Sequence, residues 1–338
     1  MHLFKPSVLY HPLTVALLLF LLIFLEKTEG NPYFNYLPSV FYSFSTLFLG
    51  MIVEAVPFIL AGVILSVFIQ TYIREDVVRQ LLPKNPFLAM IPAAFTGLLF
   101  PVCECVIIPI VRGLIKKGLP QHLGVVLIVS IPIINPIVVL STFYAFQSKP
   151  AILYARVFLT VIASFIIGTS IYYLFRNQSI LKQENLIGIR HSDHEHHHSG
   201  KPSLHDQMFH ISSEFFDMTR YFIVGALMAS LFQTFFNRDL MTAIGANAAA
   251  GPAVMMALAY FLSVCSTSDA FLAASFTHQF SPGSIVAFLI FGAMLDVKNT
   301  LVLLGCFRIR FVLVFFIITA TVVYLLTRLA DFMIHWSF

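Results

Sequence analysis

Two thiols flank a carboxylate in the stretch Phe100-Pro101-Val102-Cys103-Glu104-Cys105-Val106-Ile107-Ile108-Pro109, and a proline stands on either side of the three. Thiolates select soft and borderline ions, so Cys103, Glu104 and Cys105 form a candidate ligand set for a thiophilic substrate. Proline removes a backbone donor and clashes with the preceding turn, so a regular helix through both prolines is not expected. On a helix the two cysteines would point about 200° apart, whereas on an unwound, strand-like segment residues i and i+2 share one side. The prolines therefore predict an unwound segment on which both sulfurs meet one ligand. The plainer alternative is a pair of small residues packing a helix crossing.

A second apolar run carries related chemistry in Cys265-Ser266-Thr267-Ser268-Asp269. Together the two segments offer three thiols and two carboxylates. Zn(II) would take four such ligands tetrahedrally, and a trivalent arsenical two or three thiolates. Cys103, Cys105 and Cys265 are accordingly the metal candidates in the membrane. A sulfur pair also fits dithiol redox work, although Cys-x-Cys is a weaker redox signature than Cys-x-x-Cys. Two further polar positions interrupt apolar runs. Asn135 lies between Pro132 and Pro136, where it can satisfy freed backbone groups or touch substrate. Asp296 stands close to Lys298 and Asn299, with which it can form a local ion pair or join a substrate path. The expected path is thus Cys103, Glu104, Cys105, Cys265, Ser266, Ser268 and Asp269, with Asn135 and Asp296. Glu54 and Asp217 are read as sitting mid-span at matching repeat positions and are candidates for proton coupling, since a carboxyl in apolar surroundings can exchange a proton near neutral pH. The alternative for both is capping a neighbouring helix end. Cys306, beside Arg308, reads as inert.

The stretch His191, Asp193, His194, Glu195, His196, His197, His198, followed by His205 and His210, is a low-complexity metal-binding composition. Imidazole with carboxylate suits Zn(II), Ni(II) or Cu(II). No fixed ligand spacing is present, so a loose reservoir or sensor is expected, the alternative being a solvated linker.

The elements that must position these groups are membrane helices. Of 338 residues 59% are hydrophobic and 11% charged, against about 25% charged in a soluble domain. Long uncharged runs make the chain an all-α polytopic membrane protein. The net charge of +4 is spread over short connectors and does not form a nucleic-acid patch. Four cysteines, three of them in apolar segments, are not a secreted disulfide framework. The first run, Leu13 to Leu25, has no small-residue cleavage site after it and reads as an uncleaved span. Four regions follow from the pattern: an extra first span and outer loop (1–39), a first membrane repeat (40–175), a cytoplasmic histidine-rich linker (176–216) and a second membrane repeat (217–338). The run 151–175 reads as an ordinary span.

The repeat shows at an offset of 162 or 163 residues, which sets Glu54 on Asp217, Gly62 on Gly225, Val102-Cys103 on Val264-Cys265 and Pro120 on Pro282. One residue of slippage sets Asn135 on Asp296. Internal duplication is a usual construction for secondary transporters, with the site where the repeats meet. If 87–111 and 252–276 are re-entrant hairpins, then Lys5, the connectors 74–86 and 112–120, the histidine-rich loop and Arg308/Arg310 share one side. They hold 13 of the 20 Lys and Arg, and the positive-inside rule makes that side cytoplasmic. The two repeats are then inverted, with broken or re-entrant helices at mid-membrane.

The Pro-Val-Cys-Glu-Cys-x4-Pro segment, the Cys-Ser-x-Ser-Asp segment and the variable loop between them resemble a large family of bacterial predicted permeases that includes the organoarsenical efflux permeases. The resemblance covers roughly residues 40 to 330. It implies extrusion of trivalent arsenicals through thiols such as Cys103 and Cys105, and it implies a second small membrane protein as partner. The long histidine-rich loop is a departure that arsenic chemistry does not need, and it shifts the expectation toward a transition metal or another thiophilic species.

The resulting expectation is a secondary-transporter-like permease in the bacterial cytoplasmic membrane, not an enzyme. It would move a thiophilic metal or metalloid outward, coupled to protons. No Gly-x4-Gly-Lys-Ser/Thr phosphate loop is present, so energy would come from a gradient or a separate subunit. The N-terminus and histidine-rich loop would face the cytoplasm. No organic cofactor is called for, and a bound transition metal such as zinc would suit the ligands. Partners would be the lipid bilayer, the substrate, and a small membrane subunit or further copies of the chain. The alternatives are a membrane thiol-disulfide oxidoreductase and a non-transporting membrane subunit.

Overall fold

Apolar runs of similar length fold very differently according to the polar residues and prolines inside them. The computed structural model describes residues 37–72, 85–98, 102–176, 178–182, 204–235 and 250–336. The first of these is a single 36-residue helix, α1 (Leu37–Tyr72), which continues through Pro57. Its apolar part, Phe41–Tyr72, has 32 residues, about 48 Å at 1.5 Å per residue, well beyond a hydrocarbon core of about 30 Å. The next run breaks into α2 (Pro86–Phe95), a 3₁₀ turn (Thr96–Leu98) and α3 (Glu104–Lys116). A 10-residue helix such as α2 rises about 15 Å and covers half of that core. Then come α4 (Gln121–Ile134) and α5 (Pro136–Ala145), bent by 41° at Asn135, and the unbroken α6 (Pro150–Leu174).

The same succession follows again: a long helix α7 (Leu204–Phe235), a short one α8 (Gly251–Leu262), a break, and the short α9 (Asp269–Ala274). A pair interrupted at Leu295-Asp296 comes next, α10 (Pro282–Met294) and α11 (Val297–Cys306), and then the long α12 (Ile309–Trp336). Packing repeats as well. In the first set α2, α4 and α6 pack on one another; in the second α8, α10 and α12 do. Across the two, α3 packs on α11 and α9 on α5, while α4 meets α10 and α6 meets α12.

Burial separates centre from rim. In the span 282–306, 83% of the most apolar window is buried, against 28% in Ile309–Asp331. A helix apolar all round belongs inside a bundle, and α4 and α10, buried along nearly their whole length, form the centre. Among the described residues, five helices are long and apolar enough to cross a membrane, six if α4 and α5 form one span. The chain is a multi-pass membrane protein.

Residues 46–338 form one unit, and Met1–Ser45 a second whose described part is the first turns of α1. The run Leu13–Leu25 and the histidines His191, His194, His196, His197 and His198 lie outside the described residues. Three details add to the sequence reading. Helix α7 begins at Leu204, inside the stretch read as linker. At the start of that stretch Leu181 bridges Phe307, and the amide of Arg308 donates to the carbonyl of Ile180. Lastly, α6 is long and apolar enough to span, as expected, and it also buries Arg156.

Candidate translocation site

Helix α3 begins immediately after the break. Cys103 is its N-cap, with extended backbone at φ −80° and ψ 166°, and Glu104 and Cys105 are its first two helical residues. The unwound segment thus ends at Cys103, and Cys105 is helical, contrary to the strand-like expectation. Pro109 lies inside α3, so one ladder bond is lost. The bond lost is the one to the Cys105 carbonyl; the Ser66 hydroxyl of α1 donates to the carbonyl of Pro109 itself, at 3.0 Å, and ties α1 to α3 there. The two thiols nonetheless lie close enough to act on each other, Cys103 at the cap and Cys105 in the first turn. Both are half-buried and free of disulfides, as is Cys265.

Glu104 is buried, and its Oε2 accepts a hydrogen bond from the Ser266 hydroxyl at 2.9 Å. This contact joins the two broken segments. Ser266 lies between α8 and α9, in a break that opens with Ser263 in the left-handed region at φ 51°. A non-glycine residue there is strained and needs support from its surroundings. The support is Asp296, whose Oδ2 accepts from the Ser263 hydroxyl at 2.7 Å while its Oδ1 caps α11 through the Asn299 amide. Asn135 stands in the matching break, where it caps α5 through the Ile137 amide and donates to the Val102 carbonyl at 3.3 Å.

Lys298 brings a buried cation to this cluster. Its Nζ is 3.8 Å from Asp296, and its charge also acts on Cys105, Glu104 and Cys265. It is positioned by a close helix crossing. A Cβ on Gly225 of α7 would fall 2.8 Å from the Lys298 Cα, so only glycine allows that approach. Asp269 takes a different role. It accepts two hydrogen bonds from Arg156, at 3.2 and 2.7 Å, and Arg156 also donates to the Thr142 hydroxyl and the Leu289 carbonyl. Both charges are buried and compensate each other.

Cys103, Glu104, Cys105, Ser266 and, through Lys298, Asp296 and Cys265 are thus brought into one region. Ser268 is exposed, and the Thr267 hydroxyl, not that of Ser268, contacts the Cys265 sulfur, at 3.5 Å. Glu54 is exposed on α1, with its charge reaching Cys265. Asp217 is exposed, pairs with Arg220 at 2.9 Å and lies near the start of the apolar part of α7, away from mid-span. Cys306 is buried with its sulfur against Met218. Among the described residues no group of three or more His, Cys, Asp or Glu is placed to hold a metal ion. Lys298 and Arg156 are the additions to the residues read from sequence. A lone arginine within an apolar run is the signal that identifies Arg156, while nothing local in the sequence aims Lys298 at the thiols.

Half-length helices, interrupted spans and a polar cluster where the two sets meet are the anatomy of a membrane transporter. Residues 40–332 match the ArsP_1 family model, described as a predicted permease, and the chain belongs to that family. It is 43% identical over 290 residues to the UPF0718 protein YcgR of Bacillus subtilis, an alignment covering 85% of this chain and 96% of that one. It is 35% identical over 285 residues to a Streptococcus mutans protein named as a candidate two-component membrane permease complex subunit, covering 83% and 93%. No solved structure matches. Membership makes the chain a transporter and sets aside the oxidoreductase alternative.

Proposed function

We propose that this permease moves a thiophilic metal or metalloid species out of the cell across the cytoplasmic membrane, in exchange for protons. The observation that carries this reading is the thiol pair Cys103/Cys105 at the head of α3, beside the Glu104–Ser266 contact and the buried Lys298. Two adjacent sulfurs suit a species taking two thiolates; a closed four-ligand cage would instead hold a resident metal. Cys265 is the third sulfur that a bound substrate would recruit. Glu54 and Asp217 remain the proton-coupling candidates, Glu54 having the better claim through its reach to Cys265.

The halves are read as inverted, with the N-terminus and the histidine-rich loop cytoplasmic. The excess of Lys and Arg in the connectors of that side supports this. Histidines 191–198 would then buffer the substrate before export. The name of the Streptococcus mutans relative supports a second membrane component as partner.

The test is metal content of the purified, detergent-solubilised protein by elemental analysis after loading with zinc. The intact chain is compared with Cys103→Ser/Cys105→Ser and with a chain lacking residues 191–198. Zinc lost with the thiols supports a metal substrate in the membrane. Zinc lost only with the loop overturns that assignment and leaves the histidines as a buffer. With no zinc in any form, binding of phenylarsine oxide, a trivalent arsenical, decides between a metalloid substrate and none of this class.

A further inference from the structure

The two sets of helices match in sequence register at several buried positions. Arg156, Thr160 and Ser164 of α6 fall on Phe315, Thr319 and Val323 of α12 at a constant offset of 159 residues. Asn135 falls on Asp296 and Thr142 on Leu303 at 161, and Glu104 falls on Ser266 and Ile107 on Asp269 at 162. The polar cluster Arg156, Thr142 and Asp269 therefore has a counterpart made of Phe315, Leu303 and Ile107. All three counterparts are buried in the apolar core, at 1%, 0% and 3% exposure.

Both places lie one helical turn from the centre. Ile107 follows Glu104 by three residues along α3, and Asp269 follows Ser266 by three. With the halves read as inverted, these matched places fall on opposite sides of the thiols and the Glu104–Ser266 contact: an ionic closure where α5 and α6 meet α9 and α10, and an apolar one where α3 meets α11 and α11 meets α12. We propose that Arg156, Thr142 and Asp269 form the gate at one mouth of the pathway, and Ile107, Leu303 and Phe315 the gate at the other. The inference rests on the chain being a permease with the site at the centre. Separated by incoming water, two charges regain hydration, whereas parted apolar side chains gain nothing from water. The ionic gate therefore opens by hydration and the apolar one only when the helices themselves move apart.

The test is labelling of Cys103, Cys105 and Cys265 by a membrane-impermeant charged methanethiosulfonate, added to right-side-out or inside-out vesicles holding the full chain with Cys306→Ala. The parent should label slowly from both sides. Asp269→Asn should raise the rate tenfold or more from one side, and Phe315→Ala from the other side only. Thr142→Val and Leu303→Ala are milder versions that leave no charge unpaired, and each should follow its partner's side with a smaller rise. An increase from the same side in both sets, or no increase in protein that keeps its gel-filtration profile, would overturn the proposal. Labelling needs no substrate, so failure of zinc binding leaves this result standing, and failure here leaves the thiol site standing.

Discussion

Asn135 reaches the carbonyl of Val102, and 161 residues further on Asp296 takes the hydroxyl of Ser263. Position and purpose are the same in both halves: each side chain caps the second helix of an interrupted span and ties it to the neighbouring break. The chemistry differs. The first half does it with a neutral amide and a backbone acceptor. The second does it with a carboxylate, a strained serine and a buried lysine whose charge acts on thiols of both halves. Charge costs several kcal/mol to bury, so the second half carries polar groups that the scaffold role alone would not require. The first half contributes the sulfur pair and the second the cation beside it.

Four substitution pairs would break or sharpen this comparison. The largest effect is expected at the ion pair between the halves. Arg156→Ala should cost about 3–5 kcal/mol because Asp269 is left buried and uncompensated, whereas Arg156→Met with Asp269→Leu should recover most of the loss. Thermal unfolding in detergent, followed by circular dichroism, reads both. Next come the two caps. Asn135→Ala should cost about 1 kcal/mol, and Asp296→Ala about 2–4 kcal/mol more because Lys298 loses its partner. Equal costs in the same assay would show that the two breaks are energetically alike despite their chemistry.

A smaller difference is expected at Ser263. Ser263→Gly and Ser263→Ala both lose the hydroxyl bond to Asp296, but glycine relieves the left-handed backbone, so it should be the more stable by about 1 kcal/mol. Unfolding midpoints that coincide would remove strain from the account. The smallest effect contrasts two glycines. Gly225→Ala places a Cβ 2.8 Å from the Lys298 backbone, whereas Gly50 has nothing within 4 Å. The first should cost about 1–3 kcal/mol and the second change stability by less than about 0.5 kcal/mol.

Much of this arrangement is legible in the chain. Prolines and polar residues inside apolar runs mark the breaks at 102–103, 135 and 295–296, because bilayer interiors forbid such residues without a reason. The offset of the two Val-Cys pairs gives the register of the halves. What is not legible depends on contacts between distant segments. Arg156 meets Asp269 across 113 residues, and no local pattern pairs a lone arginine in one run with an acid in another. Lys298 reads as a neighbour of Asp296 because sequence separation is short, and its reach to Cys105 follows from α3 packing on α11. The two thiols were expected to share one side of a strand-like segment, whereas Cys105 is helical: a proline inside a helix costs one hydrogen bond but need not end it.

The contact between Glu104 and Ser266 joins two residues that occupy the same place in their respective halves. An assembly of two identical half-length chains would set such a residue against its own copy. Two glutamates at that distance cannot both be ionised, and two serines would carry no charge at all. Two halves of different sequence, as in this chain, can put an acid on one side of the point and a hydroxyl on the other. The acid comes from one half and the hydroxyl from the other, so the centre of this molecule is chemically unequal.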